Sequence, residues 1–177
     1  MKKKIKILGI SGSLRPTSSA TTMLNIVSGL FPDHVAFSIY GGLETIPPFN
    51  DSSDIPLPVE DFVELITKAD AVFFCIPEYA FGVPGALKNA LDWTVATTAF
   101  SEKPVSLITA ASQGEKAHAA FLNTLTALGT KMTADATLLI SFIRSKLNEK
   151  NEIKDLTTMN AVKKTVVSFL QLIEAKG

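Results

Sequence analysis

The chain has 177 residues, 46% of them hydrophobic, which is enough for one core of ordinary size, and a single domain over 1–177 is expected. Seventeen basic residues balance seventeen acidic ones, which excludes the long-range field that draws a protein to nucleic acid or to an anionic membrane; any anionic ligand must be held locally. The single cysteine, Cys75, excludes an internal disulfide framework and fits a reducing compartment, so a cytoplasmic location is expected.

Met1-Lys2-Lys3-Lys4 has the charge of a secretory n-region, but Lys6 and then Gly9, Ser11, Gly12 and Ser13 break the apolar run that should follow, so no signal segment is expected. Residues 5–10, 35–40, 71–76 and 105–110 are short apolar runs bounded by turn formers, and each predicts a buried strand. Between them lie helical spacings: Met23, Leu24, Val27 and Leu30; Phe62, Val63, Leu65 and Ile66; Leu87, Leu91 and Val95; Phe121, Leu122, Leu125 and Leu128. A fifth strand is expected near 132–140, and Val162, Val166, Phe169, Leu170 and Ile173 predict a closing amphipathic helix. Residues 41–58 hold four of the nine prolines and read as a loop, while 141–155 is polar and irregular. The apolar runs are strand-length, far short of the ~20 residues that a membrane helix needs. Strands alternating with helices imply a parallel α/β sheet wound by right-handed crossovers and covered on both faces.

In such sheets ligands bind beyond the carboxyl ends of the strands, where the winding direction reverses. The loop Ser11-Gly12-Ser13-Leu14-Arg15-Pro16-Thr17-Ser18-Ser19 leads into a helix near Ala20. Its hydroxyls, Arg15 and the open amides of the helix start suit a phosphate, and equally suit a helix cap at Ser18 or Ser19 with a solvated Arg15. It has neither a Gly-Lys-Ser/Thr ending nor the G-x-G-x-x-G spacing, and the second strand runs into Tyr40-Gly41-Gly42 with no acid to grip a ribose. A mononucleotide phosphate is therefore expected rather than a dinucleotide's. The loop after the third strand, Pro77-Glu78-Tyr79-Ala80-Phe81-Gly82-Val83-Pro84-Gly85, offers a stiff backbone and two aromatic rings to a flat heterocycle; the alternative is a rigid turn with its aromatics in the core. The loop after the fourth strand, Thr109-Ala110-Ala111-Ser112-Gln113-Gly114, has small residues that permit close approach, for a ligand or for packing.

Taken in order, Gly12-Ser13-Leu14-Arg15 with Ser18, then Pro77-Glu78-Tyr79 and Pro84-Gly85 with Leu87-Lys88-Asn89-Ala90-Leu91-Asp92-Trp93, resemble the NAD(P)H-dependent FMN reductase family, which includes chromate, quinone and azo-dye reductases. The resemblance covers residues from about 5 to about 128. It implies a flavodoxin-like doubly wound sheet of five parallel strands in the order 2-1-3-4-5. It further implies FMN as cofactor, with NADPH or NADH as co-substrate. Ser11, Ser13, Arg15, Ser18, Ser19 and Ala20 would surround the FMN phosphate; Pro77, Glu78, Tyr79 and Ala80 would line the isoalloxazine; Ser112 and Gly114 would close the far side. The family usually has Asn where this chain has Ala80, and commonly where it has Ala20. Dimers, or tetramers of dimers, are implied as well.

The expected reaction is hydride transfer from a nicotinamide to FMN and on to a small acceptor: a flavin, quinone, azo compound or metal oxyanion. It needs no protein acid or base, so no catalytic residue and no metal ligand is named. His34 and His118 stand apart from any carboxylate or nucleophile and read as surface or helix-face residues, and Cys75 reads as a packed thiol. Glu78 is a candidate orienter or a backbone cap. Two other functions fit the same motifs: an FMN-binding electron carrier without nicotinamide activity, against which the balanced charge speaks, and a flavin-free interaction module on the same fold.

Overall fold

A computed structural model describes residues 4–175, so Met1, Lys2 and Lys3 of the n-region-like start lie outside the described residues. The elements follow in the order β1 (Ile5–Ser11), α1 (Ser19–Ser28), β2 (Val35–Tyr40), α2 (Leu57–Lys68), β3 (Ala71–Ile76), α3 (Gly85–Asp92), β4 (Val105–Ala110), α4 (Glu115–Ala127), β5 (Thr137–Ile140), α5 (Ile143–Lys146) and α6 (Leu156–Glu174). The five strands form one sheet in the order β2-β1-β3-β4-β5, every pairing parallel, as expected.

Alternation along the strands divides the core in two. Leu8, Ile10, Val72, Phe74, Ile76 and Leu107 face α2, α3 and α4, whereas Ile7, Phe73, Cys75 and Ile108 face α1 and α6. β3 and β4 are buried at all six positions, which is why their sequences are apolar without interruption. The edge strands depart from the expected burial. In β2 only Val35, Phe37 and Tyr40 are partly covered while Ala36, Ser38 and Ile39 face solvent, because its outer side has no neighbouring strand. β5 is shorter than expected, since Ala134–Ala136 forms a single 3-10 turn before it.

Two further corrections concern helix ends. α1 stops at Ser28, closed by the Gly29 amide on the Ile26 carbonyl and the Leu30 amide on the Val27 carbonyl, so Leu30 lies beyond it. α3 stops at Asp92, and Val95 is 67% exposed instead of continuing the apolar face. The face that α3 does bury, Leu87, Ala90 and Leu91, packs on β3 and β4. Its polar face holds the proline-rich loop in place. Asn89 accepts from the Phe49 amide (2.8 Å) and donates to the Pro47 carbonyl (2.9 Å), which also receives the Trp93 indole N–H (2.9 Å). No described helix is long and apolar enough to cross a membrane.

The strand order places the reversal of winding between β1 and β3. There the backbone is close-packed: the Gly12 amide donates to the Cys75 carbonyl (2.8 Å), and a Cβ on Gly12 would meet Ile76 Cγ2 at 3.0 Å. Glycine lets the loop after β1 leave the sheet hard against β3.

Candidate functional site

The loop after β1 is organised by its own hydroxyls. Ser18 caps α1, its Oγ accepting from the Thr21 amide (3.1 Å). Thr21 is the hub: its hydroxyl lies 3.0 Å from Ser11 Oγ and 2.9 Å from Ser18 Oγ, and it donates to the Arg15 carbonyl (3.2 Å). Ser13 Oγ accepts from the Arg15 amide (3.2 Å) and lies 3.0 Å from the Tyr79 hydroxyl. Ser11 and Ser13 thus shape the loop rather than line the cleft beside it. What that cleft receives from the loop is the exposed Arg15 side chain, Ser18, and Ser19, whose amide has no acceptor among the described residues. The Ala20 side chain points the other way, fully buried with Met23 and Leu24 in the core. A longer polar side chain there would enter that core.

Two adjoining clefts, of about 180 and 330 Å³, share Arg15, Ser18, Ser19 and Arg144. The smaller is completed by Pro77, Glu78, Tyr79, Ala110, Ala111, Ser112 and Ile143; it brings together the loops after β1, β3 and β4. The larger extends along Thr17, Thr22, Leu147, Asn148 and Asn151. Arg15, Ser18, Ser19, Pro77, Glu78, Tyr79 and Ser112 are therefore brought together, whereas Ser11, Ser13, Ala20, Ala80 and Gly114 line neither cleft. Arg144, from the segment that had shown only irregular polarity, was missed.

Ala80 and Phe81 form the tip of a two-residue turn. Tyr79 and Gly82 exchange both backbone hydrogen bonds (3.1 and 2.9 Å), and the two central residues have φ of 48° and 58°. That is a type I′ turn, whose first position favours Asn because Asn tolerates the left-handed region. The Asn usual in the resembling family has a backbone reason here, independent of any cofactor contact. On the outer side of Tyr79, a mostly apolar hollow is lined by Ser13, Leu14, Arg15, Pro84, Gly85 and Ala86.

Glu78 is engaged as a cap. Its Oε1 accepts from the Gly114 amide (3.2 Å) and its Oε2 from the Ala117 amide (3.0 Å), bridging the first turn of α4. Gly114, at φ 105°, makes that turn possible, and a Cβ on it would come within 2.7 Å of Leu139 Cδ1. His118 lies on α4, as the helix-face alternative had it, and is half-buried. Its Nδ1 lies 2.8 Å from Thr109 Oγ1, and burial holds its pKa below the usual imidazole value. Cys75 is fully buried and its thiol is pushed well above the usual range by that burial, which fits a packed, unreactive side chain. No group of three or more metal-ligating side chains occurs among the described residues.

A family model described as NADPH-dependent FMN reductase matches residues 5–144. The chain is 38% identical over 117 residues to an NAD(P)H-dependent FMN reductase of Pseudomonas aeruginosa, covering 63% of each protein. It is 35% identical over 115 residues to an NADPH:quinone oxidoreductase of Arabidopsis thaliana, covering 61% of this chain and 59% of the relative. The matched stretch is thus less than two thirds of either curated relative's length. Among solved structures, the flavoenzyme NAD(P)H:(acceptor) oxidoreductase FerB from Paracoccus denitrificans superimposes with a TM-score of 0.77 at 22% identity, covering 97% of this chain and 98% of that one. At that identity the likeness speaks for the fold, which is flavodoxin-like.

Proposed function

The chain belongs to the NADPH-dependent FMN reductase family, and from that premise we propose that it holds FMN in the cleft between the loops after β1, β3 and β4 and oxidises NADPH or NADH. The observation that carries this reading is a donor set suited to a doubly charged phosphate. Arg15, Ser18 and Ser19, the last with a free amide, border one end of the cleft, with the positive end of α1 behind them. The other end is built from Pro77, Tyr79, Ala110 and Ala111, and there the flat ring system would lie.

The chemistry that FMN supplies when bound is two-electron transfer from a reduced nicotinamide to a small acceptor: a flavin, quinone, azo compound or metal oxyanion. The residues bind and orient. Arg15 and the α1 amides fix the phosphate end, and the fixed backbone after β3 sets the plane in which the ring lies. Glu78 accepts from α4 amides with both oxygens, and its part is to hold the β3 and β4 loops at a set distance. Tyr79, at the cleft, and Leu14 and Phe81 in the same two loops are 41%, 52% and 70% exposed, apolar surface suited to acceptors of varied shape. A cytoplasmic location and self-association as a dimer or tetramer complete the proposal.

The test is an absorption spectrum of the protein as purified, and again after NADPH is added under nitrogen. The expected result is a bound flavin spectrum that NADPH bleaches. A colourless protein with no thermal shift on addition of FMN would overturn the reading, and flavin that stays oxidised in NADPH and NADH would reduce it to a carrier. Light scattering measures the oligomeric state.

A further inference from the structure

We propose that Arg144 is a second phosphate-gripping residue, and that the segment 140–153 forms the wall of the cofactor cleft opposite the loop after β1. This rests on the reading of the cleft as an FMN site and assigns a residue and a selectivity to it. Arg144 borders both adjoining clefts together with Arg15, Ser18 and Ser19. Among the described residues neither arginine has a carboxylate partner, although Lys146, two positions on, lies 3.6 Å from Asp155. Two unpaired guanidinium groups bordering one polar cleft match a phosphate, which carries about −1.5 to −2 charge near neutral pH.

The presentation of Arg144 is anchored, which separates it from an ordinary surface arginine. The Ala111 amide donates to the Ile140 carbonyl (3.2 Å), and the amides of Phe142 and Ile143 donate to the carbonyls of Ser112 (3.1 Å) and Ala111 (3.2 Å). Ser141 Oγ donates to the Gln113 carbonyl (2.8 Å). Four hydrogen bonds therefore bind this segment to the loop after β4, which itself lines the cleft. Ile143 is 1% exposed in the core, and Phe142 before it takes a left-handed conformation at φ 55°. A strained residue followed by a buried anchor fixes where the next side chain begins. Beyond it, a bridge between Leu147 and Ile153 closes a hairpin, inside which Asn148 Oδ1 accepts from the amides of Lys150 and Glu152 (both 2.9 Å). That hairpin sets Asn148 and Asn151 along the rim of the larger cleft.

The consequence is discrimination between FMN and riboflavin, which differ by the phosphate alone. The test titrates FMN and riboflavin separately into the full-length wild type, Arg144→Gln, Arg144→Lys and Lys150→Gln, followed by quenching of flavin fluorescence. Arg144→Gln is expected to weaken FMN binding by about tenfold or more and to flatten its salt dependence, with riboflavin binding unchanged. Arg144→Lys should recover part of the loss, keeping the charge without the fork. Lys150→Gln removes an exposed charge from the same hairpin and should stay within about twofold of wild type. Because Arg144 is exposed, the melting temperature without flavin should be unaltered. Undiminished FMN affinity in Arg144→Gln, or equal losses for FMN and riboflavin, overturns the inference and leaves the cofactor reading standing. A wild type that binds FMN no better than riboflavin, or binds neither, overturns both.

Discussion

The helices α1 and α4 both begin at the carboxyl edge of the sheet, and their amino-terminal ends are finished in opposite ways. Each presents unpaired amides and the positive end of a macrodipole. At α4 the chain supplies the negative charge itself: Glu115 lies in the first turn, and the Glu78 carboxylate reaches across from the β3 loop to the amides of Gly114 and Ala117. At α1 there is no acid in the first turn; Ser18 satisfies one amide, and Arg15 and Arg144 add positive charge to a place that already carries it. One end receives its negative charge from the chain itself, whereas among the described residues no carboxylate pairs with the arginines at the other. The β3 loop serves both, because Glu78 caps α4 and the adjacent Tyr79 hydroxyl meets Ser13 of the α1 loop.

Substitutions can break this contrast, and the largest effect is expected at the filled end. Glu78→Ala leaves two amides without their carboxylate and should destabilise the flavin-free protein by about 2 kcal/mol, a fall of roughly 4–8 °C in melting temperature. Glu78→Gln, which keeps one acceptor oxygen, should lose less. An unchanged melting temperature in both variants would mean that the cap contributes nothing. At the open end the pattern should invert. Arg15→Ala removes an exposed, unpaired side chain, so thermal unfolding without flavin should match wild type, while FMN affinity falls by about 10- to 100-fold. A loss of apo stability without a loss of affinity would erase the distinction between the two helix ends.

How far the sequence discloses these features depends on the range of the interaction that creates them. The runs 71–76 and 105–110 are apolar throughout because both faces of the central strands are covered, and their boundaries are legible to the residue. The edge position of β2, the brevity of β5 and the early end of α3 depend on neighbours that composition does not name. In the site, the serines of the first loop are recognisable as donors, but whether a hydroxyl faces a ligand or another hydroxyl is decided by Thr21, which turns Ser11 inward. Arg144 was illegible for a stronger reason. It sits in a short turn with no periodicity, and backbone hydrogen bonds to residues 111 and 112, about thirty positions earlier, carry it to the cleft. The left-handed pair Ala80-Phe81 hides in the same way, since neither residue type signals such a turn.

That turn yields a smaller and opposite prediction. Ala80 holds φ 48° at a cost of about 1 kcal/mol relative to a residue at ease there. Ala80→Asn should relieve part of it and raise the melting temperature by roughly 2 °C, with little change in FMN affinity, because Ala80 lines neither cleft. A gain in affinity without a gain in stability would instead place the residue in the cofactor site and join the β3 turn to the open end of the comparison.

The smallest effect belongs to His118, one turn into the helix that Glu78 caps, and its sign is fixed by burial. Burial lowers the pKa in the folded state, so as pH falls the unfolded chain binds the proton first, near 6.5. The contribution to stability is complete above that value and is lost as pH drops toward the folded pKa. Asp155 acts in a different window: hydrogen bonds from Thr158 hold its carboxyl below 3.8, so its contribution is lost only in stronger acid. Comparing wild type with His118→Gln between pH 7 and pH 5 therefore tests this histidine apart from Asp155. Wild type should weaken across that interval, and His118→Gln, which can still bond Thr109 but takes up no proton, should show a flatter profile. If both proteins weaken in parallel, the acid sensitivity arises elsewhere and the filled end of α4 owes nothing to a neutral imidazole.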